Sequence, residues 1–268
     1  MSEWKEYKLG EIAVKITKGT TPSNIGSGFS EKGVNYIKSE AVDYNGRINN
    51  TTFVFIDNAT HEKLKRSQLQ TDDILFSMAG AFLGKTGIVT SEMLPANTNQ
   101  ALAIIRLNQS IAVPRFVHFY LRQKKVVEYV NSMSSQSAQP NVNLEEISSL
   151  EIKLPSLTSQ TVIAEILSSL DDKIELNKKI NKNLEDLAQA LFKQWFIDFE
   201  FPNEKGEPHK SSGGEMMDSE FGEIPKGWKP GKLGDFVSVK GGTTPSTTEP
   251  AFWNGSFNWT SPRDLSNL

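Results

Sequence analysis

The chain contains 268 residues, of which 37% are hydrophobic, 9% aromatic and 23% charged, and it has no cysteine. Such a composition is typical of globular domains with a sizeable core, and it excludes disulfides and thiolate metal sites. No apolar run reaches the roughly 18 residues of a membrane helix, and Met1–Glu6 lacks the basic and apolar parts of a signal peptide. We therefore expect a cytoplasmic protein without a membrane segment.

The net charge of −3 is divided unevenly along the chain. Residues 1–155 hold 17 Lys and Arg against 15 Asp and Glu, whereas residues 156–268 hold 12 against 17. Non-specific DNA binding depends on many phosphate contacts, so this charge excludes a protein that coats nucleic acid with an overall basic surface. Any contact with DNA is expected on a local face of the first part, or with the help of a basic partner.

Residues 1–157 are predicted to form one domain of mixed helices and strands, which makes the fold class α+β. A short helix is predicted over Ala59–Arg66 and a longer one over Phe116–Met133, because Pro114 suits a helix start. Short β-rich segments bounded by turn residues are the predicted strands, namely Val14–Thr17, Val34–Lys38, Thr52–Ile56, Ile74–Met78, Thr86–Thr90, Leu102–Leu107 and Leu150–Leu154.

Residues 158–199 are predicted to form one long helix, since they contain neither Pro nor Gly and repeat apolar residues at alternating steps of three and four. About five heptads of this kind correspond to a helix roughly 60 Å long. An exposed apolar seam of this length needs a partner helix, and Asn177 within it would help to fix the register. The seam consists of Ile163, Ile166, Leu170, Asn177, Ile180, Leu184, Leu187 and Leu191.

An internal repeat follows the helix. Residues 200–227 are polar and rich in Pro, Gly and Ser, which predicts an extended or mobile linker. Residues 228–268 then repeat the start of the chain: Trp4–Glu11 recurs from Trp228 at an offset of 224, and Gly19–Ser23 recurs at 242–246 at an offset of 223. The chain therefore reads as one complete unit, a connector and the start of a second, shortened unit.

This layout and its motifs resemble the specificity subunits of Type I restriction–modification systems. Each motif alone is weak, but their order and spacing over essentially the whole chain are specific. The motifs are Trp4–Gly10, Gly19–Ser23, Asn35–Ile37, Asp72–Leu75, Asn99-Gln100, Ile152–Gln160, Leu170-Asp171, Leu191–Phe196, Asp198-Phe199 and Glu223–Trp228.

The resemblance implies two target-recognition domains, each of which reads one half of a split sequence in double-stranded DNA. Residues 1–157 would be the first domain, 158–199 the long conserved helix, 200–227 the linker and 228–268 the start of the second domain. It also implies helices that act as a ruler and bind methyltransferase subunits, and a complex that joins a motor-nuclease subunit. This chain departs from the pattern by lacking most of the second domain and the second helix, so we hypothesise that its seam pairs with a second copy.

No catalytic set is recognised in the sequence, and no cofactor or metal is expected. Ala79–Thr86 loosely matches a phosphate-binding loop, but the strand-like residues after it argue against the helix that such a loop requires. Glu151-Ile152-Lys153 lacks the nearby upstream Asp of a nuclease site, and the three histidines have no ligand spacing. The alternative reading is a coiled-coil scaffold with no role in DNA binding, which explains the helix but not the repeated domain.

Side chains that read base edges need paired donors and acceptors on loops over a rigid scaffold. The recurring loop at 18–24 is either such a reader or a structural turn, and the amide-rich stretch 134–141 is either a reader or a mobile linker. Lys63, Lys65 and Arg66, with Lys124 and Lys125, either hold phosphates or form solvated helix faces. The candidate DNA-binding residues are Lys18, Thr20, Thr21, Ser23, Asn24, Lys38, Ser39, Glu40, Lys85, Thr86, Asn97, Asn99, Gln100, Gln136, Gln139 and Asn141.

Overall fold

The structure is a computed structural model that describes residues 4–80, 83–133, 141–253 and 255–265. The chain divides into two compact units, Met1–Ile180 and Asn181–Leu268. Helices and strands are mixed as predicted, and the α+β class is confirmed. Within the described part of the chain, none of the helices combines the length and apolar character required to cross a membrane.

Three sheets build the first unit. An antiparallel four-stranded sheet has the order β2-β8-β5-β6, a three-stranded sheet has the order β4-β3-β7, and β1 pairs with β9. The strands are β1 Lys5–Lys8, β2 Ala13–Lys18, β3 Val34–Ile37, β4 Val54–Ile56, β5 Ile74–Ser77, β6 Thr86–Ile88, β7 Ala96–Thr98, β8 Leu102–Leu107 and β9 Glu151–Leu154. The helices of this unit are α1 Asn58–Lys63, α2 Pro114–Leu121, α3 Lys124–Met133, α4 Leu144–Ser148 and the start of α5 Leu157–Phe192.

The core of the first unit lies between the four-stranded sheet and the helices, and the β1–β9 pair closes it. Leu9 and Ile12, which follow β1, are fully buried with Ile152 of β9 in the same apolar cluster. Alternation along β9 explains this placement, since Ile152 and Leu154 face inward while Glu151 and Lys153 face solvent. The first and last strands of the unit thus hold each other in place, although the sequence pattern had not indicated β1.

The helix predicted over Phe116–Met133 is two helices, α2 and α3, which meet at Arg122 and Gln123. In α2 the buried apolar residues follow helical spacing up to Leu121, but the next apolar residue is Val126, five positions later. Five residues correspond to about 500° around a helix axis, which turns Val126 away from the face of Leu121. A break between the two helices lets both segments face the core.

His118 is a packed residue of α2 with 5% of its surface exposed, as expected from its position in an amphipathic helix. Its Nε2 lies 3.4 Å from the carbonyl oxygen of Thr86. Burial, with the nearby charge of Arg122, lowers the pKa of His118 from 6.5 to about 4. His118 is therefore neutral near pH 7.

We expect acidification from pH 6.5 towards pH 4 to weaken the first unit by up to about 3 kcal/mol. In this range the unfolded chain binds a proton on His118 and the folded chain does not, so stability is complete above 6.5 and falls as the pH drops. The check is the free energy of urea unfolding at about pH 7 and about pH 4.5, in the wild type and in His118→Gln. An equal pH dependence in the two proteins would contradict the assignment.

The long helix α5 has 36 residues and continues into a π-helical turn at Lys193–Ile197, which agrees with the prediction of one helix across this region. Its N-terminal part packs on the first unit, where Ala164 is buried and Ile163 packs against the core. Ile163, which was predicted to lie in the partner seam, is half-buried because it also packs against the core of its own domain. The rest of the apolar seam is exposed, with Leu170 at 54% and Leu184 at 57%.

Polar contacts hold the first part of α5 on the domain. Arg122 Nη1 donates to Asp171 Oδ2 at 2.7 Å, and Arg115 Nη1 donates to Ser168 Oγ at 3.1 Å. Arg47 forms an ion pair with Glu175 one helical turn further along. Arg47 and the two arginines at the ends of α2 thus fix the orientation of the domain on α5, because a planar guanidinium bonds its partner in a defined direction.

The linker contains more regular structure than predicted, and the second repeat contains little. Residues 200–227 contain an antiparallel hairpin, β10 Met216–Ser219 and β11 Gly222–Pro225, rather than only extended chain. Across residues 228–253 and 255–265, regular structure is limited to short 3-10 turns and α6 Pro262–Leu265. Apolar residues that are buried in the first copy are exposed in the second, as Leu9 at 0% and Leu233 at 74% show. In the first copy Leu9 is covered with the help of β9, which lies at the far end of that unit.

Candidate nucleic-acid interface

Several predicted DNA-binding segments meet at one edge of the first unit, because β3 and β7 are parallel neighbours. Their register joins Ile37 to Thr98, and Thr98 Oγ1 donates to the Ile37 carbonyl oxygen at 2.7 Å. Both strands end at this point. The residues that follow them, 38–40 after β3 and 99–101 after β7, therefore leave the three-stranded sheet side by side. We call the surface formed by residues 18–24, 38–40, 99–101 and 141–145 the loop edge.

The recurring loop at 18–24 is tied to the loop edge through its backbone. Thr20 N–H donates to the Thr98 carbonyl oxygen at 3.0 Å, and the Tyr36 hydroxyl donates to the Thr20 carbonyl oxygen at 2.9 Å. A Cβ atom at Gly19 would lie 2.1 Å from the Thr98 carbonyl oxygen, so only glycine fits there. Gly19 and Pro22 are buried, which gives the recurring motif a structural reason, whereas Ser23 and Asn24 are exposed.

Amide side chains face solvent together at the centre of the loop edge. Asn24 Nδ2 donates to Gln100 Oε1 at 2.8 Å, which leaves the Gln100 amide N–H groups and Asn24 Oδ1 directed outward. Asn99 does not join them, because its Oδ1 is buried, and this oxygen has no hydrogen-bond partner among the described residues. Paired donors and acceptors of this kind match the edge of a base pair in the major groove.

A cavity of about 870 Å³ opens beside these amides. Lys18 and Gln100 line one side of the cavity, and Asn141 and Glu145 line the other. Asn141 is held there because it bridges to Ala79 after β5. The cavity thus brings together three of the predicted DNA-binding residues, Lys18, Gln100 and Asn141, which lie far apart in sequence.

Cations flank the amides on the side of β2. Arg66 Nη2 donates to Thr20 Oγ1 at 3.0 Å, and Lys15 Nζ lies 3.4 Å from the Arg66 carbonyl oxygen. Arg66 was one of the predicted phosphate contacts, whereas Lys15 was not singled out. Lys15 and Lys18 are three residues apart on β2, so their side chains point to opposite faces of the sheet. The neighbouring Lys15 and Arg66 are suited to hold phosphates next to the amides.

The segment at 38–40 is only partly accessible. Lys38 Nζ lies 4.9 Å from the centre of the Phe29 ring, and Glu40 is exposed. Ser39 is 9% exposed, and its hydroxyl donates to Glu40 Oε2 at 3.3 Å. Lys38 and Glu40 therefore belong to the surface of the loop edge, while Ser39 supports it.

Asn97 must be removed from the predicted readers. It belongs to β7, a strand that the sequence did not indicate, and none of its surface is exposed. Its Nδ2 donates to the Leu64 carbonyl oxygen at 3.1 Å and to Ser67 Oγ at 3.0 Å, and its Oδ1 pairs with His61. A base contact would break all of these bonds and leave buried polar groups without partners.

Lys85 and Thr86 must be removed as well. Thr86 is the first residue of β6 and is 2% exposed, and Lys85 is 9% exposed with its Nζ 4.2 Å from the centre of the Tyr44 ring. Burial lowers the pKa of Lys85, while the charge of Asp43 opposes that shift. The residues that follow the Ala79–Thr86 segment belong to β6, which pairs antiparallel with β5, and not to a helix. The loose match to a phosphate-binding loop therefore lacks the required structural context.

Two further predicted readers, Gln136 and Gln139, lie outside the described residues, as do Ala81 and Phe82 of the Ala79–Thr86 segment. Thr20 and Thr21 are half-buried in the loop edge. In the described ranges, no three His, Asp or Glu side chains are grouped so that they could hold a metal ion.

An α+β domain with a polar and basic loop edge, joined to a long helix with an exposed apolar seam, defines a recognition module. The profile of the Type I restriction modification DNA specificity domain matches residues 1–186. The chain therefore belongs to the Type I restriction–modification DNA specificity family.

Individual relatives agree with this family. The Type I restriction enzyme HindI specificity subunit of Haemophilus influenzae is 29% identical over 216 residues, which cover 75% of this chain and 42% of that protein. The MjaIX specificity subunit of Methanocaldococcus jannaschii is 35% identical over 168 residues, which cover 63% of this chain and 37% of that protein. This chain thus spans less than half the length of either relative.

A solved structure supports the fold. The crystal structure of the HsdS subunit from Thermoanaerobacter tengcongensis has a TM-score of 0.51 at 18% identity, and the match covers 76% of this chain and 51% of that chain. At this identity the likeness concerns the arrangement of helices and strands alone.

Proposed function

We propose that residues 1–157 read one half of a split sequence in double-stranded DNA through the loop edge. The convergence of Lys18, Asn24, Gln100 and Asn141 on one surface carries this proposal. The amides would contact base edges in the major groove. Lys18 beside the cavity, and Lys15 with Arg66 on the other face of β2, would hold phosphates on either side of them. A local basic edge on a chain of net charge −3 fits a protein that relies on specific contacts.

The long helix α5 is proposed to dock methyltransferase subunits and, through their complex, the motor-nuclease subunit. Its exposed seam is further proposed to pair with a second copy of the chain, so that two identical domains read a symmetric split target. An antiparallel pair centred on Asn177 would place the two asparagines opposite each other. We assign the protein to the cytoplasm, where such a complex would meet DNA.

The test is a gel shift of the full chain mixed with methyltransferase subunits, on a pool of random DNA. Selected sequences should share a split motif, and methylated adenines should appear at that motif in cells that carry the chain and its methyltransferase. If the complex shifts DNA without enriching any sequence, the protein is better described as a scaffold without DNA specificity. Light scattering on the isolated chain that detects only monomer would exclude the homodimer.

Gln100→Ala is expected to reduce discrimination at one base position by about 1–3 kcal/mol, because the base loses a paired contact. Asn24→Ala should affect the same position, since its amide holds Gln100 at 2.8 Å. Relative affinities for targets that differ at single positions provide the measurement. Gln70→Ala is the control, because this exposed glutamine precedes β5 and lies at the opposite end of that strand from the loop edge. Unchanged preference in both loop-edge variants would reject these two side chains as readers.

A further inference from the structure

An aromatic cluster forms where the long helix ends. Phe199, with a φ of 57°, turns the chain after the π-helical Lys193–Ile197, and its ring meets Trp228 edge to face at 5.6 Å. Phe201 stacks on Trp228 at 5.7 Å, and Phe196 lies 6.1 Å from the same ring. We call residues 192–201 the aromatic tail. Three of its rings contact Trp228, the first residue of the second repeat, which remains 37% exposed.

The corresponding residue of the first repeat, Trp4, has a different environment. It is 50% exposed, and its nearest ring is Phe116, at 6.1 Å. Beside it lies a cavity of about 610 Å³, a volume within the range of ligand-binding pockets. Most of the lining is apolar or aromatic, namely Trp4, Phe116, Phe119, Tyr120, Ile163 and Leu167. The first tryptophan therefore adjoins an open apolar site, whereas the second is packed among the rings of the tail.

The heptad register relates this cavity to the tail of a second copy. Asn177 lies midway between the first and last seam residues, Ile163 and Leu191. In an antiparallel pair centred on Asn177, Ile163 of one copy lies opposite Leu191 of the other. Ile163 lines the cavity, and the aromatic tail begins directly after Leu191. The pairing that joins the seams thus brings the tail of one copy to the cavity of the other.

We propose that the cavity around Trp4 binds the aromatic tail of a second copy, in the way that Trp228 is packed within the tail of its own chain. The proposal rests on the homodimer of the proposed function, but not on DNA reading. Two such contacts would form in each dimer, one at each end of the paired helices, because the pair is symmetric. They would fix the position of each reading domain relative to the partner's helix.

Charge complementarity supports this occupant. Lys125 lines the cavity and takes part in none of the ion pairs among the described residues, and Lys153 is bound only to the exposed Glu6. The tail carries two acidic residues between its aromatic residues: Asp198, which pairs with Lys193 of the tail at 2.6 Å, and Glu200, whose carboxylate accepts hydrogen bonds from Ser211. Exposed ion pairs such as Lys153–Glu6 contribute little stability, so Lys153 can exchange its partner for an acidic group of the tail.

Trp228 would then compete with the partner's Trp4 for the same tail. Trp228→Ala is expected to free the tail and to tighten the dimer, whereas Trp4→Ala is expected to weaken it. This competition would make the start of the second repeat a negative regulator of pairing between copies.

The first experiment measures the dimer dissociation constant of the full chain by sedimentation equilibrium. Trp4→Ala is expected to raise it by about tenfold or more, since large aromatic anchors dominate interface affinity. Phe29→Ala is the matched control, because Phe29 is 49% exposed and does not line the cavity. Any increase in dimer affinity caused by Trp228→Ala should vanish in the double variant that also carries Trp4→Ala. A dimer that is unchanged by Trp4→Ala, or a gain that persists without Trp4, would overturn the proposal and leave the seam pairing intact.

The second experiment does not depend on dimerisation. A fluorescein-labelled peptide of residues 192–202 is titrated into the full chain, and its fluorescence anisotropy is recorded. Binding is expected to the wild type and to Phe29→Ala, and to be about tenfold weaker with Trp4→Ala. Absence of binding, or equal binding to Trp4→Ala, would overturn the docking site even if the dimer forms. A monomeric wild type that still binds the peptide through Trp4 would refute the proposed dimer while supporting the site.

Discussion

Leu170→Ala is expected to dissociate the proposed antiparallel pair, whereas Leu176→Ala is expected to leave it intact. Both leucines are exposed to a similar degree in the single chain, at 54% and 57%. Leu170 belongs to the heptad seam and Leu176 does not. Truncation of a leucine that is buried in the dimer reduces the stabilisation of the packed state by about 2–5 kcal/mol. Each substitution occurs twice in a dimer. The dissociation constant should therefore rise by about a thousandfold or more.

The comparison separates pairing from helix stability. Both substitutions replace leucine with alanine within the same helix, so they change helix propensity equally. Sedimentation equilibrium gives the dissociation constant, and circular dichroism checks that helix content is retained. If the two variants dissociate equally, the seam assigned from the heptads is not the contact surface. If neither dissociates, the copies associate elsewhere or not at all.

Asp73→Ala is expected to destabilise the first unit by about 3–5 kcal/mol, because it leaves Arg106 without its partner inside the fold. None of the surface of Asp73 is exposed. Arg106 Nε and Nη2 each donate to its carboxylate at 2.7 Å, and Gln70 N–H donates to it at 2.8 Å. The pair joins β8 to the residue that precedes β5, and the carboxylate raises the pKa of Arg106.

The free energy of urea unfolding measures this effect, and Glu6→Ala provides the control. Glu6 also pairs with a cation, Lys153, at 2.7 Å, but both side chains are largely exposed. Solvent screens such a pair, so its loss should change stability little. Similar losses in the two variants would show that burial does not govern the contribution of these ion pairs. A small loss in Asp73→Ala alone would show that water reaches Arg106 and replaces the carboxylate.

Residues of the candidate site could be predicted from the sequence where they lie next to a strand with a clear apolar pattern. Lys18 and Gln100 adjoin β2 and β8, two strands whose alternation and apolar runs are evident in the sequence. Asn97 could not be placed in this way, because it and its two neighbours in β7 form a short strand of small and polar residues. Its hydrogen bonds to Leu64 and Ser67 join residues about 30 positions apart. No local pattern distinguishes such a buried amide from an exposed one.

The long helix, the internal repeat and most strands follow from features that are local along the chain, since periodicity and turn residues act over a few positions. Which polar residues reach the surface follows only from contacts between distant segments. The parallel pairing of β3 with β7 brings the ends of two loops together, and the β1–β9 pair closes the unit around Leu9. The same leucine at position 233 remains exposed. Burial depends on the atoms that fold against a side chain, and those atoms come from elsewhere in the chain.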